Sequence, residues 1–287
     1  MPELPEVETI KQELNQLIVN KRIQSVEINL AKQVKTPLAR FLKLVQGAKV
    51  VGVNRRAKML ILGLDNDYSL VFHLKMTGQL IYRGQSGKLS GGGHPIKHNL
   101  KNLPNEYSHV IFNFSDGSRL FFNDLRQFGW VKLIDDQELV KLNKEFGAEP
   151  LNGDFTFKKF KGIISKRRNK PIKPLLMEQN LIAGVGNIYA QEVCFCAGVA
   201  PDKKIKELNE QEFKKLYQCL IKILKTAIEK KGTSADNYVD AFGREGSMMP
   251  QLKVYGREGE LCKKCGTKIK IMKQAARTTA YCPICQK

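Results

Sequence analysis

Residues 1–8 read MPELPEVE, so two prolines and three glutamates occupy the first eight positions. This pattern is unexpected, because the 287-residue chain carries 48 Lys and Arg against 28 Asp and Glu, a formal net charge of +20. The apolar side chains of residues 6–19 recur at helical spacing. The opening stretch is therefore predicted to lead directly into an amphipathic helix, unlike a frayed terminus.

Short strand-like runs follow this helix. They cover residues 23–30, 48–55, 58–64, 69–74, 109–114 and 119–122, with Gly, Asn and Asp between them. Such a density of strands predicts a β-sandwich or barrel with the first helix packed against it. Residues 86–93, SGKLSGGG, are predicted to be a flexible loop. They have neither the spacing nor the closing Lys-Ser/Thr of a phosphate-binding P-loop.

The second part of the chain is helical. Helical spacing recurs at residues 137–146, 173–179, 187–197 and 210–230, which places a domain boundary near residues 135–141. Nowhere does an apolar run approach the roughly 18 residues of a membrane span. The N-terminus also lacks the basic and apolar segments of a secretory signal. We therefore expect a soluble, cytoplasmic protein.

The seven cysteines fall into two groups. Four form a C-x2-C, sixteen intervening residues and a second C-x2-C: Cys262, Cys265, Cys282 and Cys285. This spacing predicts a tetrahedral zinc site whose four thiolates leave the metal a structural role. Disulfides are the alternative, which a reducing compartment disfavours. The other three lack metal spacing and are predicted to be small buried hydrophobic residues: Cys194, Cys196 and Cys219.

Two neighbouring features indicate an anionic partner. Residues 155–177 contain eight Lys and Arg and no acid, which favours a phosphate-facing surface over a merely solvated one. Residues 181–189, LIAGVGNIY, place two glycines before a helix start, with Asn187 as the predicted N-cap. Amide groups at such a start attract anions. The alternative is a plain helix–turn–helix hairpin. Tyr189 occupies the third glycine position of a dinucleotide-binding fingerprint, which excludes that motif.

Together, MPELPEVET, LIAGVGNIY and the four-cysteine module resemble the bacterial formamidopyrimidine-DNA glycosylases, with similarity from Met1 to Lys287. The resemblance implies an α+β multidomain protein. Its parts are an N-terminal β-sandwich with flanking helices (1–135), a helical domain with a helix–two-turn–helix element (136–248) and a zinc finger (249–287). The implied partner is double-stranded DNA containing oxidised purines opposite cytosine, and the implied cofactor is one structural Zn²⁺. A monomer associated with the bacterial nucleoid is expected.

The resemblance gives the opening stretch a chemical role. Removal of the first methionine would free the secondary amine of Pro2, whose pKa of about 8 leaves a neutral fraction at physiological pH. This amine is implied to attack C1′ of the damaged nucleotide and form a Schiff base, with β- and δ-elimination following. Glu3 is then the general acid/base, Glu6 holds the amine and a water, and Lys58 contacts phosphate or sugar. Glu8 receives no role and is predicted to be a solvated helix residue.

The resemblance also implies probes that fill the gap left by an everted nucleotide. HLKMTG (73–78) supplies Met76 as a wedge, and DLRQFG (124–129) supplies Phe128 as a wedge and Arg126 as the partner of the orphaned cytosine. The alternative places Met76 and Phe128 in the core. Many family members have Pro-Arg-Arg at residues 125–127, where this chain has Leu-Arg-Gln, so the backbone contact beside Arg126 is not inferred.

Three more DNA contacts are implied. Arg277 would lie at or near the tip of a β-hairpin in the zinc module, ready for the DNA backbone near the lesion. Lys173 would contact phosphate or base, and Asn187 would bind phosphate through its side chain. Such contacts position DNA without reading its sequence. Residues 232–246 correspond to the family's segment over the everted base.

Two other functions compete with this interpretation. A non-catalytic zinc-finger nucleic-acid-binding protein would need the basic surface and the cysteines, but not PELPE. A sister glycosylase for oxidised pyrimidines tends to begin Pro-Glu-Gly-Pro-Glu, and Leu4 argues against it. The purine-repair type is the one we predict. Lys58 as an exposed strand lysine is the remaining alternative for that residue.

Overall fold

The computed structural model describes residues 1–87, 89–93, 102–233 and 246–287. They form two compact units, Met1–Lys144 with Lys230–Ser247, and Glu145–Glu229 with Met248–Lys287. The predicted α+β class is confirmed, with an N-terminal β-sandwich, a helical region and a C-terminal hairpin module. The boundaries at residues 135 and 248 stay predictions. Most of the segment predicted to cover the everted base, residues 234–245, lies outside the described residues.

Helix α1 (Leu4–Ile18) begins two residues earlier than its spacing predicted. Pro5 fits in the first turn, because the N–H groups there have no helical partner to lose. Glu3 is the N-cap, and the Glu6 carboxylate accepts its backbone N–H at 2.8 Å, as in a capping box. The apolar face of α1 is buried in the sandwich core. The prolines and glutamates of the opening stretch thus set where this helix starts.

Nine strands of the first unit form two antiparallel sheets. One sheet has the order β2 (Val50–Arg56), β3 (Met59–Leu64), β4 (Tyr68–His73) and β9 (Trp130–Asp135). The other has the order β1 (Ile23–Ile28), β7 (Ser108–Phe114), β8 (Arg119–Asp124), β5 (Gly78–Arg83) and β6 (Leu89–Gly93). Phe72 of the first sheet packs edge-on against Phe112 and Phe122 of the second, with ring centroids 5.9 and 5.6 Å apart. The two sheets therefore share one sandwich core.

Four elements of this unit depart from the sequence prediction. The prediction of a loop over residues 86–93 is wrong for its second half, because backbone pairing with β5 holds the glycine-rich β6 as a strand. Strands β5 and β9, and helix α2 (Leu38–Val45), were not predicted. Pairing with neighbours distant in sequence stabilises the three strands, and that pairing leaves little trace in local spacing.

Two short loops cross between the sheets at the same end of the sandwich. The Met76 loop (residues 74–77) leads from β4 to β5, and the Phe128 loop (residues 125–129) leads from β8 to β9. They are neighbours because His73 pairs with Trp130 where both leave one sheet, and Gly78 pairs with Asp124 where both leave the other.

The second unit contains four α-helices of five or more residues within its described range: α4 (Phe157–Ile164), α5 (Ile172–Leu176), α6 (Asn187–Ala197) and α7 (Glu210–Glu229). Helix α3 (Asp136–Glu145) joins the two units in sequence. The unit ends in a hairpin of β10 (Lys270–Gln274) and β11 (Arg277–Tyr281). None of the helices in the described ranges combines the length and apolar character that a bilayer crossing requires.

The prediction that the three isolated cysteines are buried and unpaired is right for Cys194. Cys219 is buried as predicted but is not a free thiol, and the prediction is wrong for Cys196. Cys196 is exposed and forms a disulfide with Cys219, with Cα atoms 5.9 Å apart. Helices α6 and α7 pack side by side and bring together two positions 23 residues apart in sequence. Sequence spacing alone does not show such a pairing.

Candidate active site

Pro2, Glu3 and Glu6 are all buried at the start of α1. While one oxygen of the Glu6 carboxylate accepts the Glu3 N–H, the other accepts the Thr233 N–H at 2.8 Å. On the next turns of α1, Glu13 accepts a hydrogen bond from Lys231 Nζ at 3.1 Å. Glu6 therefore holds the residue next to Pro2 and also the backbone that leads into residues 234–245.

Lys58 lies in the turn between β2 and β3 and is buried, so the alternative of an exposed strand lysine is wrong. The turn is tied to α1, because Arg55 Nε donates to Glu8 at 2.9 Å and its Nη1 donates to the Ala57 carbonyl at 2.8 Å. Burial acts to raise the pKa of Glu8, but hydrogen bonds from Arg55 and Lys11 bring it below its usual value. The prediction that Glu8 is merely solvated is therefore wrong.

His73 lies directly before the Met76 loop, and the sequence prediction gave it no role as an individual side chain. Its Nδ1 accepts the Lys75 N–H at 3.0 Å, and its ring lies 5.8 Å from that of Trp130. Burial, with the nearby positive charges of Lys75 and Lys58, lowers the pKa of His73 to about 3. A neutral ring is required to accept that hydrogen bond, so His73 fixes the backbone that precedes Met76. The feature of the sequence that could have drawn attention to His73 is its position at the end of strand β4.

The two residues predicted to be wedges are exposed to solvent. Met76 is 37% exposed and Phe128 is 55% exposed, so the alternative that both belong to the core is wrong. The Arg126 guanidinium lies 4.8 Å from the centroid of the Phe128 ring, and Arg126 is also exposed. An exposed apolar ring and a flat hydrogen-bond donor therefore lie together on one loop.

Lys173 is buried and does not lie on the surface, where a DNA contact would be expected. It is 1% exposed, and its Nζ donates to Asn187 Oδ1 at 2.6 Å and to Thr279 Oγ1 at 2.9 Å. The prediction of Asn187 as N-cap is wrong, because extended Gly186 caps α6 and Asn187 is its first helical residue. Lys173 thus joins the start of α6 to β11 through the Asn187 side chain.

The predicted hairpin is present, and Arg277 follows its tip. Ala275 and Ala276 form the turn with φ of +45° and +58°, and the exposed Arg277 is the first residue of β11. Gln191 of α6 accepts the Ala280 N–H at 2.6 Å and donates to the Thr278 carbonyl at 3.3 Å. The hairpin that carries Arg277 is therefore fixed on α6 within the same unit.

The segment that enters the zinc module is also held by α6. The buried Glu192 carboxylate accepts three successive backbone N–H groups, from Lys253, Val254 and Tyr255, each at 2.9 Å. Burial raises the pKa of the Glu192 carboxyl, against the lowering effect of these hydrogen bonds. Three donors aimed at one carboxylate compensate for its loss of water.

The four predicted metal ligands come together. The Sγ atoms of Cys262, Cys265, Cys282 and Cys285 all lie within 4.8 Å of one another. Two of the pairs are 3.5 and 3.9 Å apart, close to the edge of about 3.8 Å of a tetrahedron with Zn–S bonds of ~2.3 Å. These separations are far longer than an S–S bond of about 2.05 Å, so the disulfide alternative is wrong. The residues fit one structural zinc ion.

The basic run of residues 155–177 separates into two kinds of cation. Lys159 pairs with Asp154 at 2.6 Å, and Lys161 pairs with Glu210. Arg167 and Arg168 are exposed, and within the described ranges neither forms an ion pair. The charge available to a partner is thus concentrated at the end of α4.

Comparison with known proteins identifies the family. Residues 1–131 match the formamidopyrimidine-DNA glycosylase N-terminal domain, residues 146–238 match the H2TH domain of the same enzymes, and residues 259–287 match the zinc finger found in FPG and IleRS. The chain belongs to the formamidopyrimidine-DNA glycosylase family. Formamidopyrimidine-DNA glycosylase of Heliobacterium modesticaldum is 39% identical over 291 residues, and that of Carboxydothermus hydrogenoformans is 40% identical over 288. Both alignments cover 100% of each chain.

Solved structures show the same relationship. A complex between Lactococcus lactis Fpg and DNA containing an abasic site has a TM-score of 0.87 and 35% identity, covering 99% of both chains. A complex of the wild-type Lactococcus lactis protein with DNA containing N7-benzyl-Fapy-dG has the same TM-score and identity, covering 100% of both chains. As a member of the formamidopyrimidine-DNA glycosylase family, the chain is a DNA repair enzyme, a glycosylase and abasic-site lyase, and the alternative of a non-catalytic zinc-finger protein is wrong.

Proposed function

We propose that the enzyme excises oxidised purines, 8-oxoguanine and formamidopyrimidines, from duplex DNA through the N-terminal amine of Pro2. The observation that supports this most strongly is the buried start of α1, where Pro2 is followed by the two buried carboxylates Glu3 and Glu6. A proline nitrogen inside a chain is a tertiary amide and is not nucleophilic. Once Met1 is removed, the same nitrogen is a secondary amine with a usable lone pair.

The proposed reaction proceeds through base displacement, ring opening and two eliminations. The Pro2 nitrogen attacks C1′, the bond from C1′ to the purine breaks, and the base leaves with a proton. Opening of the sugar ring gives an iminium, which acidifies a C2′ proton so that β-elimination releases the 3′ phosphate. The conjugated product then loses the C4′ proton, and δ-elimination releases the 5′ phosphate. Glu3 moves protons at the sugar, because its carboxylate belongs to the residue next to the amine. Glu6 holds the backbone, and Lys58 holds the phosphate or sugar.

Each unit supplies its own proposed DNA contacts. In the first unit, Met76 and Phe128 enter the base stack while Arg126 pairs with the cytosine left behind, which gives a preference for lesions opposite cytosine. In the second unit, Arg277 reaches the backbone near the lesion, and Asn187, whose side chain Lys173 holds, forms the phosphate contact at the start of α6. The zinc ion would hold the hairpin that carries Arg277. We propose that the enzyme works as a monomer in the bacterial cytoplasm, on nucleoid DNA.

Borohydride trapping on a duplex with a single 8-oxoguanine opposite cytosine tests the proposal. Borohydride reduces an iminium to a stable amine, so a covalent protein–DNA band reports the Schiff base. The enzyme with Pro2 at its N-terminus should give the band, and a form that keeps one residue ahead of Pro2 should not. Both forms should bind the duplex, since the extension removes only the nucleophile.

Two outcomes would contradict the proposal. Equal trapping by the extended and trimmed forms would assign the nucleophile to another amine, such as that of a lysine. Faster excision of thymine glycol than of 8-oxoguanine would assign the enzyme to the oxidised-pyrimidine type.

A further inference from the structure

The carboxylate of Asp124 lies between the Met76 loop and the Phe128 loop. Asp124 is the last residue of β8, and its exposed fraction is 0%. Its backbone is fixed as well, because its N–H donates to the Tyr107 carbonyl at 3.1 Å and its carbonyl lies 2.8 Å from His109 Nε2. A carboxylate in such a place is costly unless donors surround it.

The donors come from both loops. Thr77 of the Met76 loop donates its hydroxyl to Asp124 Oδ1. The Phe128 loop donates the Arg126 N–H to the same oxygen at 3.2 Å and the Gly129 N–H to Oδ2 at 2.6 Å. Gln33 Nε2 completes the set at 3.4 Å from Oδ2. Hydrogen bonds from neutral groups thus surround this charge in the described structure.

Thr77 also joins the loops directly. Its Oγ1 accepts the Arg126 N–H at 2.9 Å while donating to Asp124, so one hydroxyl serves both loops. Two glycines permit this close packing. A Cβ on Gly129 would lie 2.9 Å from Phe122 Cζ and 3.0 Å from Asp124 Oδ2, and a Cβ on Gly78 would lie 2.4 Å from the Leu74 carbonyl oxygen.

We infer that Asp124 and Thr77 are positioning residues that fix the Met76 loop and the Phe128 loop relative to each other, so that Met76, Arg126 and Phe128 enter the duplex as one preformed unit. The inference rests on the proposed function of those three side chains. Extruding a nucleotide requires its lost stacking and pairing to be replaced at once. Side chains whose relative placement is already fixed do this without a further ordering cost.

Thr77→Val and Asp124→Asn test the inference, with Thr77→Ser as the matched control. Valine keeps the volume of Thr77 and removes its hydroxyl. Asparagine replaces one carboxylate oxygen of Asp124 with an NH₂ group, which would face the hydrogen-bond donors that now surround that carboxylate. We expect excision of 8-oxoguanine from duplex DNA to slow roughly tenfold or more in both, the effect of losing a hydrogen bond to a charged group. Thr77→Ser should stay within about twofold of the unmodified enzyme.

Two further measurements distinguish a loss of loop positioning from general damage to the enzyme. Fluorescence of 2-aminopurine beside the lesion should report slower unstacking in Thr77→Val and Asp124→Asn. Borohydride trapping on a single-stranded oligonucleotide with a preformed abasic site needs no wedge, so it should stay within about twofold of the unmodified enzyme. Unmodified enzyme that traps nothing would instead contradict the proposed function itself.

The inference would be overturned if both variants excised 8-oxoguanine from duplex DNA at the unmodified rate. It would also be overturned if the single-strand trapping fell in proportion to the duplex reaction, because the loss would then be general. Thermal unfolding of each variant identifies a fold too damaged to interpret, and in that case Thr77→Val, the milder change, decides.

Discussion

At the scale of single residues, buried charged groups position the backbone around the proposed chemistry. Glu6 joins the Glu3 and Thr233 amides, and Lys173 joins Asn187 to Thr279. Each group would be unfavourable in the interior without these partners. Removing a partner leaves an uncompensated buried charge, which costs more than the hydrogen bond contributes. Substitution of Glu6 or Lys173 is therefore expected to displace the groups that each side chain holds, and not to remove a reacting group.

His73 gives a residue-scale prediction about acid stability. Its pKa is lowered to about 3 in the folded protein, against 6.5 for the unperturbed group, so the folded state disfavours the proton that the unfolded state accepts. The free energy of unfolding should therefore fall as the pH drops below about 6.5, by at most ~1.4 kcal/mol per pH unit from this group. His73→Asn keeps an acceptor for the Lys75 N–H and does not titrate.

Denaturant unfolding of the zinc-loaded protein at several pH values between 7.5 and 5 measures this. As the pH falls, the free energy of unfolding of the unmodified protein should approach that of His73→Asn. Only the unmodified protein loses stability through protonation of the His73 ring. Other carboxyl and thiol groups titrate equally in both proteins and cancel in the difference. Parallel curves over the whole range would show that His73 keeps an ordinary pKa in the folded state.

At the scale of elements, the hairpin turn of the zinc module is unusual. Two-residue turns with positive φ at both positions are normally Asn-Gly or Gly-Gly, yet this turn is Ala275-Ala276. A side chain with a Cβ is disfavoured in the left-handed region by roughly 1 kcal/mol per residue. The hairpin keeps this turn because β10 and β11 pair on both sides and Gln191 of α6 holds β11.

Ala276→Gly is therefore predicted to stabilise the second unit by about 1 kcal/mol, since glycine adopts positive φ without a Cβ clash. Thermal unfolding and the rate of zinc loss to a chelator should both report it. Ala31→Gly, in the short helical turn Ala31–Gln33 of the first unit, is the matched control and should destabilise slightly. If Ala276→Gly destabilised the protein as Ala31→Gly does, the turn would not have the left-handed conformation.

At the scale of the whole molecule, the sequence was most informative where a motif has one chemical purpose. Four cysteines at fixed spacing predicted the zinc site, and helical spacing predicted α6 without error in its bounds. The sheets were harder. Strands β5, β6 and β9 owe their conformation to partners far along the chain, and residues 89–93 look like a loop because glycine dominates them.

For the proposed site, the sequence indicated candidate residues but not their surroundings. The sequence indicated Met76 and Phe128 as wedges, and their exposure in the fold fits that role. It could not show that Asp124 lies between their loops, nor that Cys196 reaches Cys219, because both contacts depend on which elements become neighbours. Lys173 was expected at a DNA phosphate or base and lies instead beneath α6 and β11. Burial is a property of packing, which residue type and spacing report only on average.

The net charge of +20 is a property of the whole molecule, and only cations free of acidic partners should release counterions when DNA binds. Arg167→Ala with Arg168→Ala removes two exposed cations without ion pairs in the described structure, whereas Lys161→Ala with Lys203→Ala removes two that pair with Glu210 and Glu212. Both double variants lower the net charge equally. The slope of log Kd against log salt for undamaged duplex should fall by up to about 1.8 for the arginine pair and by much less for the lysine pair. Duplex binding measured at several salt concentrations would show this difference, and equal slopes for the two variants would mean that α4 and the residues after it do not face the phosphates.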